Sequence, residues 1–281
     1  MVDGKLAEER TGGEVLAAER RSRLVAAVRN HGSRGVAELA AALGVSEMTV
    51  RRDIDALART GRIDKIRGGA AIPQVPDQAE LGFAAQTRRM IEEKRAIGRA
   101  AAAMVEPGMS IGISGGSTAW EFARAVREIP DVTIVTNSLP VSDVFARPDR
   151  VDEPYTQTVV VTGGVRTSSH SLVGPVAVAS LEALHCDIVF LGVSGIDLQA
   201  GLTASNLLEA ETERALIDAG RQSVVLADHT KWSAVGLTTI ADIDGVDRIV
   251  IDDGLDEEAR RVLEGMVEFS IATREVKPAE V

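Results

Sequence analysis

The sequence predicts an α/β protein in two modules, a small helical one ending in a β-hairpin and a larger one built on a mostly parallel sheet. The charge distribution is the first reason. Leu16 to Pro73 carries 11 Lys and Arg against 6 Asp and Glu, a net of +5, whereas Gln74 to Val281 carries 18 against 32, a net of −14. The second is a change of texture near Gln74. Before it the chain is rich in Ala, Leu and Arg at helical spacing; beyond Pro107, short β-branched runs alternate with helical stretches. Strands that are apolar almost throughout, separated by helices, imply a sheet covered on both faces.

The 281 residues are 45% apolar and 26% charged, enough to bury a sizeable core and unlike a disordered or fibrous chain. Residues 1–15 read as a flexible tail, 16–73 as the basic module, 74–95 as a proline-bearing linker and the start of a connecting helix, 96–271 as the acidic domain and 272–281 as a second tail. The net charge of −11 hides the basic module, which alone suits a polyanionic partner. A single cysteine, Cys186, excludes a disulfide framework and a multi-Cys zinc site and fits a reducing cytoplasm. No run approaches the roughly 18 apolar residues of a membrane span, and no signal-peptide core opens the chain, so a soluble, cytoplasmic protein is expected.

In the basic module Leu24, Val25 and Val28 form one helical stripe, and Val36, Leu39, Ala40 and Leu43 a second. Gly44 stops the second helix, Ser46 caps a third from about Glu47 to Thr60, and Gly61 stops that one. RIDKIRGGAAIP, with Gly68-Gly69 at its turn, reads as a hairpin. A short helix, a tight turn and a capped helix over Val36–Leu57 make a helix-turn-helix. Val50, Ile54 and Leu57 at i, i+4 and i+7 face the other helices, which turns Met48, Thr49, Arg51, Arg52 and Asp55 outward or to the flank. Thr49 and Arg52 are the best base-contact candidates, Met48 the next. Arg51, Lys65 and Arg67 suit phosphates, and Ser46 is a cap at a helix N-terminus that also suits a phosphate. An ordinary three-helix bundle with a solvated Arg pair is the bland alternative; cap, turn, stripe and basic hairpin together favour DNA.

In the acidic domain the strands are read in MSIGI, VTIVTN, TVVVTG, CDIVFLGVS, SVVLAD and DRIVIDD, and the helices in TAWEFARAVR, PVAVASLEAL, LLEAETERALIDAG and DEEARRVLEGM. After the first strand, Ser114, Gly115, Gly116, Ser117 and Thr118 lead into a helix. That loop offers backbone N–H groups, hydroxyls and a helix N-terminus to an anion, and suits a phosphate. It lacks the lysine of a P-loop and the spacing of a dinucleotide fingerprint, so neither ATP nor NAD is expected and no cofactor is assigned. Thr136, Asn137, Gly164, Arg166 and Asp197 stand at further strand ends, where ligands of parallel sheets bind. Glu209 opens a helix, where it either meets a ligand hydroxyl or complements the helix dipole. Lys231 follows the strand ending at Asp228, in a pocket or at the surface. His31, His170, His185 and His229 have no metal-ligand spacing, Ser171 and Ser194 no triad partners, and Trp120 and Trp232 read as packing residues.

These motifs carry a resemblance. VAELAAALGVSEMTVRRDIDALARTGRIDKIRGGA, above all S-x-x-T-V-R-R-D and the closing R-G-G-A, resembles the winged helix-turn-helix of DeoR-type bacterial transcription regulators. The order S-G-G-S-T, T-N-S, G-G-x-R, G-P-x-A, D-x-x-F-L-G-x-S-G-I-D, G-L-T-x-x-N and A-D-x-x-K-W is similar to their C-terminal sensor domain, over most of Met90 to Asp253. The resemblance implies a sensor fold similar to sugar-phosphate isomerases and an effector that is a phosphorylated sugar or polyol. Gly115 to Thr118 would hold the phosphate, with Thr136, Asn137, Gly164, Arg166, Asp197, Glu209 and Lys231 around it. Two departures stand out: Lys65 and Arg67 replace the family's arginine and histidine in the wing, and Ser114 replaces an aspartate. The expected function is a repressor of a sugar or polyol operon, not an enzyme, binding double-stranded operator DNA as a dimer or tetramer. The alternative is a sugar-phosphate isomerase with a DNA-binding appendage.

Overall fold

The computed structural model describes residues 17, 20, 21, 23–25, 27, 28, 33–59, 63–71, 83–146 and 156–274. The tail expected at 1–15, residues 275–281 of the tail expected at 272–281, His31, the helix stop at Gly61 and the linker over 74–82 lie outside the described residues; Ala272, expected to begin that second tail, is instead the buried last residue of a strand. The chain divides into two compact units, Met1–Val75 and Pro76–Val281.

In the first unit, residues 17, 20, 21, 23–25, 27 and 28 are helical and precede β1 (Ser33–Gly35), α1 (Val36–Leu43), α2 (Glu47–Arg59), β2 (Asp64–Ile66) and β3 (Gly69–Ala71). Leu24, Val28, Leu39, Val50, Ile54, Leu57 and Ile63 are buried together, so the apolar stripes of three helices meet in one core. Gly44 ends α1 at φ 66, the left-handed conformation that glycine adopts without strain. The hairpin forms as expected, and a third strand joins it: the order is β1-β3-β2, with β1 and β3 antiparallel. SRG is too short and too polar to announce a strand.

In the second unit, α3 (Phe83–Gln86) and α4 (Ile91–Ala102) lead into a seven-stranded sheet. Its strands are β4 (Ser110–Ile113), β5 (Thr133–Thr136), β6 (Thr158–Val161), β9 (Ile188–Gly192), β12 (Ser223–Ala227), β14 (Arg248–Asp252) and β15 (Glu268–Ala272), in the order β15-β14-β12-β9-β4-β5-β6. Every pairing in it is parallel. Successive strand side chains point to opposite faces. Ile111, Ile113, Ile134, Phe190, Val224 and Leu226 meet one layer, which includes Ile97 of α4 and Phe122 of α5 (Ser117–Val126). Val135, Val189 and Leu191 meet the other, with Leu181 of α7 (Pro175–Glu182) and Leu216 of α8 (Leu207–Ala219). Phe122 and Phe190 stack with ring centroids 4.1 Å apart.

Absent from the sequence expectation are α3, α6 (Leu139–Phe145), the β7 (Val165–Arg166)–β8 (Leu172–Val173) hairpin, an antiparallel sheet of β10 (Gly195–Asp197), β11 (Gly201–Ala204) and β13 (Thr238–Ala241), and the edge strand β15. A final helix, α9 (Glu257–Glu264), precedes β15. Among the described residues no helix is long and apolar enough to cross a membrane.

Candidate functional site

The reading face of the first unit is built on α2. Ser46 Oγ accepts from the backbone N–H of Thr49 at 3.2 Å, and the two hydroxyls lie 3.0 Å apart, so Thr49 is half-buried and partly engaged in the cap. Met48 is 63% exposed at the helix start, and Arg51 and Arg52 are exposed. Arg51 lies 3.4 Å from Glu47 one turn earlier; among the described residues Arg52 makes no ion pair. Behind this face the buried Asp53 accepts from Arg20 at 2.6 Å and Arg21 at 3.0 Å, fixing the first helix against α2. The hairpin reaches α2 through Lys65, whose Nζ is 2.7 Å from Asp55, and Arg67 is exposed at its turn.

In the second unit β4 runs into the sharp turn that opens α5. Gly116 stands before α5 at φ 110, and no side chain caps the helix, so its first N–H groups are left for a ligand. Gly115, Gly116, Ser117 and Thr118 line a cavity of about 110 Å³. The far wall includes Glu209 and Glu213 of α8, and Lys231 also contributes. Ser168, Ser169 and Ser171, from the β7–β8 turn, and Gly192, Val193 and Ser194, beyond β9, complete much of the lining. Phe83 and Gln86 of α3 close one side.

The charges here are set by burial. Glu209 accepts from Ser169 Oγ at 2.5 Å and Thr167 Oγ1 at 3.1 Å, and its helix is capped by Asn206, whose side chain accepts from Leu208 and Glu209. Burial pushes the Glu213 carboxyl well above the usual range, and Glu209 adds to it. Burial lowers the Lys231 ammonium, against the pull of Asp228. Beside them Lys94 of α4, buried, is brought down to about 8, and its Nζ donates to Gln86 O at 2.8 Å.

Six of the twelve residues expected around the effector line this cavity, and six do not. Ser114 is fully buried: its Oγ accepts from Gly192 N–H at 2.9 Å and donates to Gly115 O at 3.1 Å, clasping the ends of β4 and β9. Thr136 donates to Ile113 O at 2.7 Å, and Asn137 donates to Leu172 O at 3.2 Å. Gly164 serves the β7–β8 hairpin, where a Cβ would lie 2.6 Å from Val173 O. Arg166, expected to grip phosphate, is exposed and contacts His170. Asp197 accepts from the N–H groups of Gln199 and Ala200, closing the turn between β10 and β11. For Ser114, Thr136 and Asp197 the polar group at the strand end is engaged by the local backbone, whereas Asn137 Oδ1 is buried without a partner.

The residues missed divide by the signal they leave. Ser168, Ser169 and Ser171 form a small polar run that marks a loop, whereas Phe83, Gln86 and Glu213 carry no local motif and reach the cavity through the fold. Among the described residues, no three His, Cys, Asp or Glu side chains gather as a metal site.

Comparison with known proteins joins the two halves. A description named DeoR-like helix-turn-helix domain matches residues 20–75, and one named DeoR C terminal sensor domain matches residues 89–253. The chain belongs to the DeoR family of transcriptional regulators. It is similar to an uncharacterized HTH-type transcriptional regulator, YulB, of Bacillus subtilis, at 31% identity over 89% of this chain and 94% of that one. It is also similar to a putative aga operon transcriptional repressor of Escherichia coli O157:H7, at 31% over 88% and 90%, and to a glycerol-3-phosphate regulon repressor of Haemophilus influenzae, at 26% over 83% and 89%. Among solved structures, ribose 5-phosphate isomerase A from Neisseria gonorrhoeae aligns with a TM-score of 0.36 at 19% identity, covering 50% of this chain and 53% of that one. This DeoR-family chain is thus a DNA-binding transcription regulator with a sensor domain.

Proposed function

We propose that this regulator represses a sugar or polyol operon, binding operator DNA through α2 and the β2–β3 hairpin and releasing it when a phosphorylated sugar or polyol enters the cavity of the second unit. Arg52 and Met48 read base edges; Arg51, Lys65, Arg67 and the Ser46–Thr49 cap hold phosphates. Gly115 to Thr118 and the start of α5 hold the effector's phosphate, with Lys231 as its cation and Glu209 accepting from a hydroxyl. The observation that carries the reading is the uncapped N-terminus of α5 opening on a cavity that also contains Lys231. Like other helix-turn-helix proteins that read repeated half-sites, it works as a homo-oligomer, in the cytoplasm.

Release requires the effector to bind two conformations unequally. Phe83 and Gln86 are the means proposed here, because they line the cavity on the first described element after residues 72–82. Phe83 packs edge-on against Trp120 at 6.0 Å, and Gln86 is held by Lys94, so occupancy can re-seat α3. Binding of the full chain to its own upstream DNA at fixed salt, with and without a panel of sugar and polyol phosphates, tests the reading. Specific binding relieved by one phosphate ester is expected; specific binding that no phosphate ester alters would overturn the effector assignment.

A further inference from the structure

One carboxyl in the cavity is not used by the fold around it. Glu209 and Glu213 stand one turn apart on α8, and both line the cavity. Glu209 Oε1 already accepts from the hydroxyls of Ser169 and Thr167. Glu213 differs: its Oε2 is sealed from solvent and has no hydrogen-bond partner. A buried polar atom without a partner costs stability, and an apolar side chain would fill the same place on α8 without that cost. Such a group is explained by a partner that comes and goes.

The surroundings say what that partner is. Lys231 and the anion loop at Gly115–Thr118 supply positive potential and donors, while Glu209 already holds one negative charge on the α8 side. Burial and Glu209 favour the uncharged form of Glu213, against Arg214, so it offers one donor and one acceptor and does not repel a phosphate dianion. A hydroxyl offers the same pair in return. Inorganic phosphate held at the anion loop has no hydroxylated carbon skeleton extending toward α8 and leaves the carboxyl unpaired.

We propose that Glu213 is the specificity-determining contact of the cavity, exchanging hydrogen bonds with a hydroxyl of a phosphate monoester whose phosphate lies at Gly115–Thr118. The inference rests on the reading of this cavity as a phosphate-ester site. It restricts the effector to hydroxylated monophosphates, since sites built to pair a ligand hydroxyl discriminate strongly against ligands that lack it.

The test is calorimetric titration of the full chain, and of its E213A and E213Q variants, with inorganic phosphate and with glycerol 3-phosphate, glucose 6-phosphate and fructose 6-phosphate. For the unaltered chain, the tightest ester should exceed inorganic phosphate by about tenfold or more. Glu213→Ala should erase most of that advantage while leaving inorganic phosphate binding unchanged, and Glu213→Gln, which keeps a donor and an acceptor, should retain most of it. Thermal unfolding of both variants establishes that they are folded. Equal loss for ester and inorganic phosphate in E213A, or no loss for either, would overturn the inference and leave the phosphate site standing. Failure of the unaltered chain to bind any of the four would overturn the phosphate-ester reading, and the inference with it.

Discussion

Ser171 stands so close to Gly115 that a Cβ at position 115 would lie 2.1 Å from the Ser171 Oγ. The β7–β8 turn is thereby pressed onto the anion loop, and the missing side chain is what lets the two share a cavity. Gly115→Ala should therefore displace the turn and weaken phosphate-ester binding about tenfold or more, leaving operator affinity unchanged. Adding Ser171→Ala removes the nearest atom and leaves the Ser171 Cβ position 3.3 Å away, so the double variant should recover part of the lost affinity. Titration calorimetry of both variants decides it; a single variant that binds like the unaltered chain would sink the steric account.

Arg52 is exposed on the outer face of α2 and bound to no carboxylate among the described residues, whereas Arg51 is already paired with Glu47. Arg52→Ala should cost about 1–3 kcal/mol of specific operator binding and relax selectivity at the base pair it reads. Arg51→Ala should weaken binding more evenly across sequences. Fluorescence anisotropy on operator and scrambled DNA, at several salt concentrations, separates the two. An operator affinity indifferent to Arg52→Ala would remove the arginine from the reading face.

How much of this was legible in the sequence depends on how local each signal is. β9 and β12 are apolar on both faces and α2 keeps an unbroken stripe, so periodicity alone finds them. α6 hides because Pro140 reads as a turn, yet it falls in the first helical turn, where its missing N–H is no loss, and Ser138 caps the helix by accepting from Val141 at 3.3 Å. GID and GLTA look like loops because their glycines mask two strands, and EFSIA lies at a half-buried edge. In the cavity the anion loop is contiguous and announces itself. Glu213 and Phe83 do not, since only the packing of α8 and α3 brings them to that loop, from about one hundred positions away for Glu213 and about thirty for Phe83.

Asp53 ties two arginines of the first helix to the buried side of α2, with its carboxylate almost wholly enclosed and the arginines partly exposed. Removing the carboxylate leaves two neighbouring cations that can still reach water, so the cost should fall below that of a fully buried pair. Asp53→Ala should destabilise the first unit by about 2 kcal/mol. Denaturant unfolding followed in that unit provides the measurement, and the second unit's transition should not move. A change below about 0.5 kcal/mol would mean the pair holds no stability beyond an exposed one.

Phe83 separates sensing from response. It lines the cavity and contacts both Trp120 and His170 edge-on, at 6.0 and 6.3 Å. Phe83→Ala should leave operator binding intact without effector, lower phosphate-ester affinity only modestly, and strongly reduce the ability of saturating effector to release DNA. Anisotropy competition at saturating effector reads this directly. Full release by the variant would show that the signal leaves the cavity by another route.

His229 and Asp252 give the second unit a pH signature. Nδ1 of His229 lies 2.7 Å from Asp252 Oδ2, and its backbone N–H donates to Oδ1 at 2.6 Å. The hydrogen bond to Asp252 raises the imidazole above its ordinary value despite burial, with Asp228 and Glu93 adding to it. Burial opposes ionisation of Asp252, yet its bonds from His229 and Gly254 hold it below its ordinary value. A group raised in the folded state contributes fully below its unfolded value, about 6.5 for histidine, and loses that contribution as pH rises through the folded one. The lowered carboxyl contributes above about 3.9 and loses it as pH falls through its folded value. The pair is therefore worth most between these limits, and stability should decline from about pH 6.5 upward. Lys94, brought down to about 8, acts in the opposite sense at higher pH, because it sheds its desolvated charge there while the unfolded lysine is still protonated. Unfolding midpoints measured between about pH 6 and 8 follow the decline, and comparison with a histidine variant separates His229 from Glu213 and Lys94, which also titrate away from their ordinary values. His229→Gln should flatten the decline, and an unchanged slope in that variant would assign the pH dependence to another group.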